Sequence, residues 1–440
     1  MKKKRIIALV TAAVMVAAVC MTGCSSDDSK EAGNKSSDQK DKKTVLTIEI
    51  PQEMKTGNMQ AANEELYAAF EKKYPDIEVE EILVPDAQFK NVVLTKISAG
   101  EPSDILVINR LSGQSEYNSV ENMLDLSDME FVNRLKDKSI VEDPDGIVRC
   151  YQAKYADDGM CVLYNKTLFE ELGIKVPNTW DEFLSVCETL KENGIQPLYG
   201  PYKDTWTFQI LTTTAFGQLE ASAIPGTAEK LNTGKMKWSE VPEFEEVLNR
   251  AMELVDRGYF GETYLSDDWA SGPSKMTSGK YGMLFGVNKC LDDYTDTDYE
   301  YGMFPINIVD GIEPSIAQSQ VGGCLFIPKN ASNIEAAKKY IDFVSLPENA
   351  DLAQKAITYI PSIEGAQAPV AEGYQKEFNE TYIDTGNVVS EFNSYLVVDS
   401  SELWALYQEM LAKQITPKEV LESWDSTFSG LMKQAGHDGF

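Results

Sequence analysis

Apolar and polar positions along this chain follow two alternating periods. Val45 to Ile50 (VLTIEI) places an apolar side chain at every second position, the period of a half-buried strand. Asn63 to Lys73 switches to helical spacing, with Leu66, Tyr67 and Phe70 on one face, and Pro75 stops that helix. Ile77 to Val84 reads as a second strand, Phe89 to Ala99 as a second helix, and Asp104 to Ile108 (DILVI) as a short continuous apolar run. A strand apolar on both sides is characteristic of a parallel sheet covered on both faces. Strand, helix, strand, helix, strand predicts an α/β fold with right-handed crossovers.

The middle and the end of the chain repeat the theme. Met160 to Tyr164 (MCVLY) reads as a buried strand. Thr179 with Glu182 forms a capping box, opening a helix whose inner face is Phe183, Leu184, Cys187 and Leu190 and which ends at Asn193-Gly194. Ser332 with Glu335 predicts a second box, ahead of Ile334, Ala337, Ile341 and Val344. Thr416 with Glu419 predicts a third, with Pro417 at the first helical position. Val420, Leu421, Trp424, Phe428 and Leu431 form the stripe behind it, so Trp424 is expected in the core.

The start of the chain has a different character. Lys2, Lys3, Lys4 and Arg5 precede an apolar run from Ile6 to Val19, too short and wrongly flanked for a membrane span. Met21-Thr22-Gly23-Cys24 then reads as a lipobox, predicting a lipoprotein signal peptide over 1–23 and an acylated Cys24. More than one acyl chain on that cysteine would give stable membrane anchoring. Residues 24–43, rich in Ser, Asp, Lys and Asn, lack any apolar period and predict a disordered tether. From Thr44 onward the chain is too long for one core, so two lobes are expected.

Composition narrows the chemistry. The net charge of −30 argues against nucleic acid and polyanionic ligands, although a solvated exterior accounts for most of it. Cys150, Cys161, Cys187, Cys290 and Cys324 are odd in number and irregularly spaced, which predicts no disulfide framework. Cys161, Cys187 and Cys324 read as small buried hydrophobes. The one histidine, His437, sits near the end, which removes most Ser-His, Cys-His and His-metal chemistry. The oxygen-rich run Asp292 to Asp298 lacks the glycine and terminal Glu of an EF-hand and reads as a solvated acidic loop. No cofactor or metal is expected.

Four stretches together carry a family likeness: LYAAFEKKYPDIEVE (66–80), KISAGEPSDILVI (96–108), YNKTLFEELGIKVPNTWDEFLSVCETLKENGI (164–195) and GGCLFIPKNASNIEAAKKYIDFVSLPE (322–348). GKYGMLFGV (279–287) and ITPKEVLESW (415–424) add to it. The chain resembles the family 1 extracellular solute-binding proteins of ABC importers, a group that includes maltose-binding protein. The resemblance implies an α/β, two-lobed periplasmic-binding-protein-like fold of type II. Its crossings would lie near Tyr155 to Gly159, Val321 to Ile327 and Gly373. The corresponding division is 44–155 plus 326–375 for an N-terminal lobe and 156–325 plus 376–440 for a C-terminal lobe. The implied function is a non-catalytic receptor, a monomer on the extracytoplasmic face, which captures a carbohydrate and delivers it to membrane permease subunits.

A sugar site needs aromatic rings for the apolar face of a pyranose and polar groups for its hydroxyls. Asn109 and Arg110 follow the DILVI strand at the expected cleft mouth, and Glu53 ends the first strand in a similar way. Trp206, in the loop LYGPYKDTW, lies where similar proteins place stacking aromatics, with Tyr202 as a companion. Asp158 matches the place of a sugar-binding carboxylate at the hinge, although Asp157 beside it is an equal choice. Asn288 and Lys289 stand where similar sugar binders carry Trp, so Trp269 or Trp404 is the candidate replacement ring. Trp180 belongs to a helix start and reads as structural. Two other functions stay open: a receptor for a peptide or polyamine, and a surface glycoside hydrolase using two of the many carboxylates.

Overall fold

The computed structural model describes residues 43–55, 57–143, 145–154, 159–318, 323–353, 361–367, 370–437 and 439–440. The signal segment, Cys24, the tether up to residue 42, and Asp157 and Asp158 lie outside these. Residues 43–440 cluster as a single body.

Within that body the described strands form two sheets. The first contains β1 (Thr44–Pro51), β2 (Ile77–Val84), β3 (Ile105–Asn109) and β4 (Cys150–Tyr151). It also takes β10 (Gly323–Phe326), in the order β2-β1-β3-β10-β4. β1 runs parallel to β2 and β3, whereas β10 is antiparallel to both β3 and β4. The predicted strand–helix alternation is therefore present, with helices at Gly57–Lys73 and Asp86–Ala99 as the crossovers. The DILVI run is covered on both faces: Ile105 and Leu106 are fully buried, and Val107 and Ile108 are buried too.

The second sheet is built around β5 (Gly159–Asn165), buried along its whole length. Its other strands are β6 (Gln196–Tyr199), β7 (Tyr281–Val287), β8 (Tyr301–Phe304), β9 (Ile316–Gln318) and β11 (Val388–Ser390). The order is β11-β9-β5-β7-β6, with β8 also on β5. Here β5 pairs antiparallel with β7, β8 and β9, so antiparallel pairing lies at the centre of this sheet, whereas in the first it is confined to the pairs made by β10.

Each sheet has its own core. Phe70, Phe131, Tyr151, Phe326 and Tyr340 belong to the first. In the second, Trp424 is fully buried and meets the Trp238 ring edge-on at 5.9 Å. Trp180 stacks on Phe183 at 5.7 Å and donates its indole N–H to Glu253. β10, from Gly323, belongs to the first sheet, while Phe378 and Tyr382 pack on Cys161 and Ile316 of the second. The chain thus changes sheets either side of β10.

The capping expectations separate. At Pro417–Gln434 the reciprocal box forms: Thr416 Oγ1 accepts from Glu419 N at 3.3 Å, and Glu419 Oε2 accepts from Thr416 N at 2.8 Å. At Trp180–Glu192, Thr179 caps, but Glu182 accepts from Asn178 N instead. The Ser332 box does not form. Asn333 takes the boundary before Ile334–Val344, its N–H held by Asp104 Oδ1 at 2.7 Å, so a buried strand-end acid outcompetes the local motif. None of the five described cysteines forms a disulfide; Cys150, Cys161, Cys187 and Cys324 are buried, and burial holds the Cys161 thiol well above its ordinary range.

Candidate functional site

A cavity of about 480 Å³ opens between the two sheets. The first sheet supplies one wall at the carboxyl ends of its strands, where loops diverge: Pro51 and Met54 after β1, and Asn109 closing β3. The helix Asp86–Ala99 adds Asp86, Phe89 and Lys90. At Asn109 the strand turns directly into the helix Arg110–Ser115, and the i, i+4 spacing of Ser112 and Glu116 sets both on the cavity side.

The opposite wall comes from three pieces of the second sheet's lobe. The loop after β6 carries Lys203 to Trp206, the helix Gln209–Gln218 begins at the cavity, and residues 391–404 complete the wall. The loop is pinned at both ends. Tyr202 inserts into the core, edge-on to Phe208 at 5.4 Å and Phe260 at 5.1 Å, and Thr207 Oγ1 donates to Pro201 O at 3.0 Å. Asp204 Oδ2 accepts from Trp269 N at 2.7 Å, and the Trp269 ring backs Trp206 edge-on at 5.0 Å. Trp206 is thereby held as a fixed platform at the cavity.

A second indole, Trp404, stands on the same wall at the start of the helix Leu403–Leu411. Its N–H donates to Gln209 Oε1 at 3.2 Å, and Asn393 Nδ2 donates to the same oxygen at 3.2 Å. Ser400 Oγ donates in turn to Asn393 Oδ1 at 2.7 Å. An indole can only donate, so the carboxamide oxygen of Gln209 must face Trp404. That fixes the polarity of the chain: Gln209 is left with its amide hydrogens as donors for the cavity.

Carboxyl groups surround this pair of rings. Glu391 is 1% exposed, with Oε2 accepting from Asn393 N at 2.8 Å and Oε1 from Ser394 Oγ at 3.2 Å. Burial pushes its carboxyl up to about 7, against the pull of those hydrogen bonds. Glu116 is also raised, by burial first and by the Asp399 charge second, with Lys90 opposing. Polar contacts join the two walls: Ser112 Oγ donates to Asp399 Oδ2 at 2.7 Å, and Ser401 Oγ to Glu116 Oε1 at 2.9 Å. Lys90 pairs with Glu116 and, at 3.4 Å, with Glu402.

Of the residues singled out in the sequence, Asn109 and Trp206 line the cavity, as does Trp404. Trp269 sits behind Trp206 as a support, and Tyr202 anchors the same loop in the core. Arg110 points elsewhere, with Nη1 3.4 Å from Glu142 O. Asn288 is fully buried, accepting from Gly159 N at 2.9 Å and donating to Gln375, so it stitches β7 to β5 rather than facing solvent. Glu53 lies in the turn Gln52–Met54, and its side chain is outside the described set; Asp158 lies outside it altogether. Sequence reading missed Gln209, Asn393, Glu391, Asp399 and Glu402. Each is a single polar residue with no motif around it, and only the fold of 391–404 against the helix Gln209–Gln218 brings them together.

Comparison with known proteins agrees with this geometry. The melibiose/raffinose/stachyose-binding protein MelE of Bacillus subtilis is 23% identical over 95% of each chain. A multiple sugar-binding protein of Streptococcus mutans is 28% identical; here this chain spans only 46% of the relative's length and the match covers 46% of this chain. A sugar transporter protein of Bacillus licheniformis, solved with stachyose, superposes with a TM-score of 0.70 at 21% identity, covering 88% of this chain and 100% of that one. Residues 55–351 match the family of bacterial extracellular solute-binding proteins, and that span is more than half of the sequence. Two sheets with separate cores, a cavity between them and this match together place the chain in the bacterial extracellular solute-binding protein family, whose members are extracytoplasmic receptors.

Proposed function

We propose that this protein is a non-catalytic receptor that binds an oligosaccharide between its lobes and delivers it to an ABC importer. The observation that carries the reading is the pairing of Trp206 and Trp404 on one cavity wall, among amide and carboxyl groups from both lobes. Indole faces stack on the C–H face of a pyranose, while Asn109, Gln209, Asn393 and the carboxyls match its hydroxyls. The sugar-binding names of the relatives support the same ligand class. Closure follows from the wall-to-wall contacts: a ligand touching both lobes favours the state in which Ser112 meets Asp399, and the importer reads that population.

Upstream, the lipobox supports anchoring through Cys24 and the tether supports free reorientation over the permease. We take the lobes to divide near Gly159, near Gly323 and near Gly373, and the receptor to act as a monomer.

Titration of raffinose, stachyose and maltotriose, followed by tryptophan fluorescence and calorimetry, tests the reading. Saturable binding with an emission change is expected, because Trp206 and Trp404 line the site. Appearance of new reducing ends on prolonged incubation would instead make the protein a glycosidase. Replacing Cys24 by Ser should move the protein from the membrane to the soluble fraction of its host; retention at the membrane would refute the anchor.

A further inference from the structure

We infer that the ligand carries no negative charge: the cavity selects neutral saccharides and rejects uronates and phosphorylated sugars of the same size. The inference rests on the receptor reading above and adds the charge class of the ligand.

The charged groups lining the cavity are strongly unbalanced. Asp86, Glu116, Asp204, Asp399 and Glu402 line it, against Lys90 and Lys203, and no Arg or His is among the described lining residues. Both lysines are engaged by acids of the protein. Lys90 is held by Glu116 and Glu402, and Lys203 lies 3.5 Å from Asp268. Recognition of a carboxylate or phosphate calls for an Arg fork, an available Lys, or amide N–H groups at a helix start. The helix that begins at the cavity edge carries Asp86 in its first turn, and that negative charge opposes an anion approaching the helix start. The donors that do face the cavity, such as the Gln209 amide, are neutral and suit hydroxyl and ring oxygens.

Burial of Glu391 makes the same point from inside the site. Its carboxyl already resists ionisation in this surrounding, and a second anion placed nearby would meet the same lack of solvation along with the charges of Glu116 and Asp399. The overall charge of −30 acts in the same direction during encounter.

The test is a calorimetric comparison at low and physiological salt. Raffinose, stachyose and maltotriose form the neutral arm, trigalacturonate and sn-glycerol 3-phosphate the anionic arm, and spermidine the cationic arm. The expected result is saturable binding in the neutral arm and, in the anionic arm, affinity weaker by more than about tenfold. Anionic binding as tight as neutral binding would overturn the inference and leave the receptor reading intact. Binding of spermidine alone would overturn the carbohydrate reading while leaving anion rejection in place, and silence in all arms would overturn both. In Glu402→Gln, which removes one acid and one partner of Lys90, the neutral-to-anion preference should shrink several-fold. An unchanged ratio would show that these acids do not set it.

Discussion

Replacing Glu391 by Gln removes an ionisable group from the base of the cavity while keeping the side chain's shape and one acceptor oxygen for Asn393 N. The carboxyl stands at about 7 in the folded protein against an ordinary 4.5. The folded value is the higher one, so between those two pH values the native state holds a proton that the unfolded chain releases. Stability from this group is therefore full below pH 4.5 and is lost as pH rises through about 7. At about 1.4 kcal/mol per pH unit, the raised value corresponds to a loss on the order of 3 kcal/mol. Urea unfolding at half-unit steps from pH 4.5 to 8, followed by far-UV circular dichroism for wild type and Glu391→Gln, isolates this group, because all other titrations cancel in the difference. The variant should gain steadily on the wild type up to about pH 7 and then run parallel to it. A difference that stays constant with pH, or a wild type that gains on the variant as pH rises, would refute the reasoning.

Three further outcomes follow from the site's construction. Trp206→Ala removes one stacking face, and the affinity for the neutral sugar should fall by about tenfold or more with little change in melting temperature; equal affinity by calorimetry would remove Trp206 from the site. Gln209→Glu keeps an acceptor for Trp404 and Asn393 but cannot donate to ligand, so binding should weaken by about tenfold while the Trp404 emission of the free protein is preserved. Gly217→Ala drives a Cβ into the Ser390 carbonyl oxygen beneath the cavity wall, and thermal unfolding should report a loss of about 1–3 kcal/mol together with weaker binding.

Much of the architecture was legible because it rests on local patterns. The two-residue period of β1, the both-faces-apolar DILVI run and the Pro417 capping box each state what their own segment does, and each is found as read. The stripe through Trp424 likewise announced a core position. The Ser332 box failed because a partner distant in sequence, Asp104, offered Asn333 a better bond. The mixed pairing of the second sheet was also hidden, since β8 and β9 come more than a hundred residues after β5, the strand they join.

The site divides along the same line. Sequence alone showed an acidic α/β chain, and its family resemblance implied two lobes and solute binding; the end of a recognisable strand pointed to Asn109, and likeness to similar proteins pointed to Trp206. Only tertiary structure decided that Trp404 lines the cavity with Trp206, that Asn288 is a buried stitch, and that Gln209, Asn393 and Glu391 form one polar floor. Periodicity encodes which face of an element is buried, and that is a property of neighbours along the chain. A binding site is a convergence of single side chains from distant segments, fixed by packing between elements, and no local pattern records it.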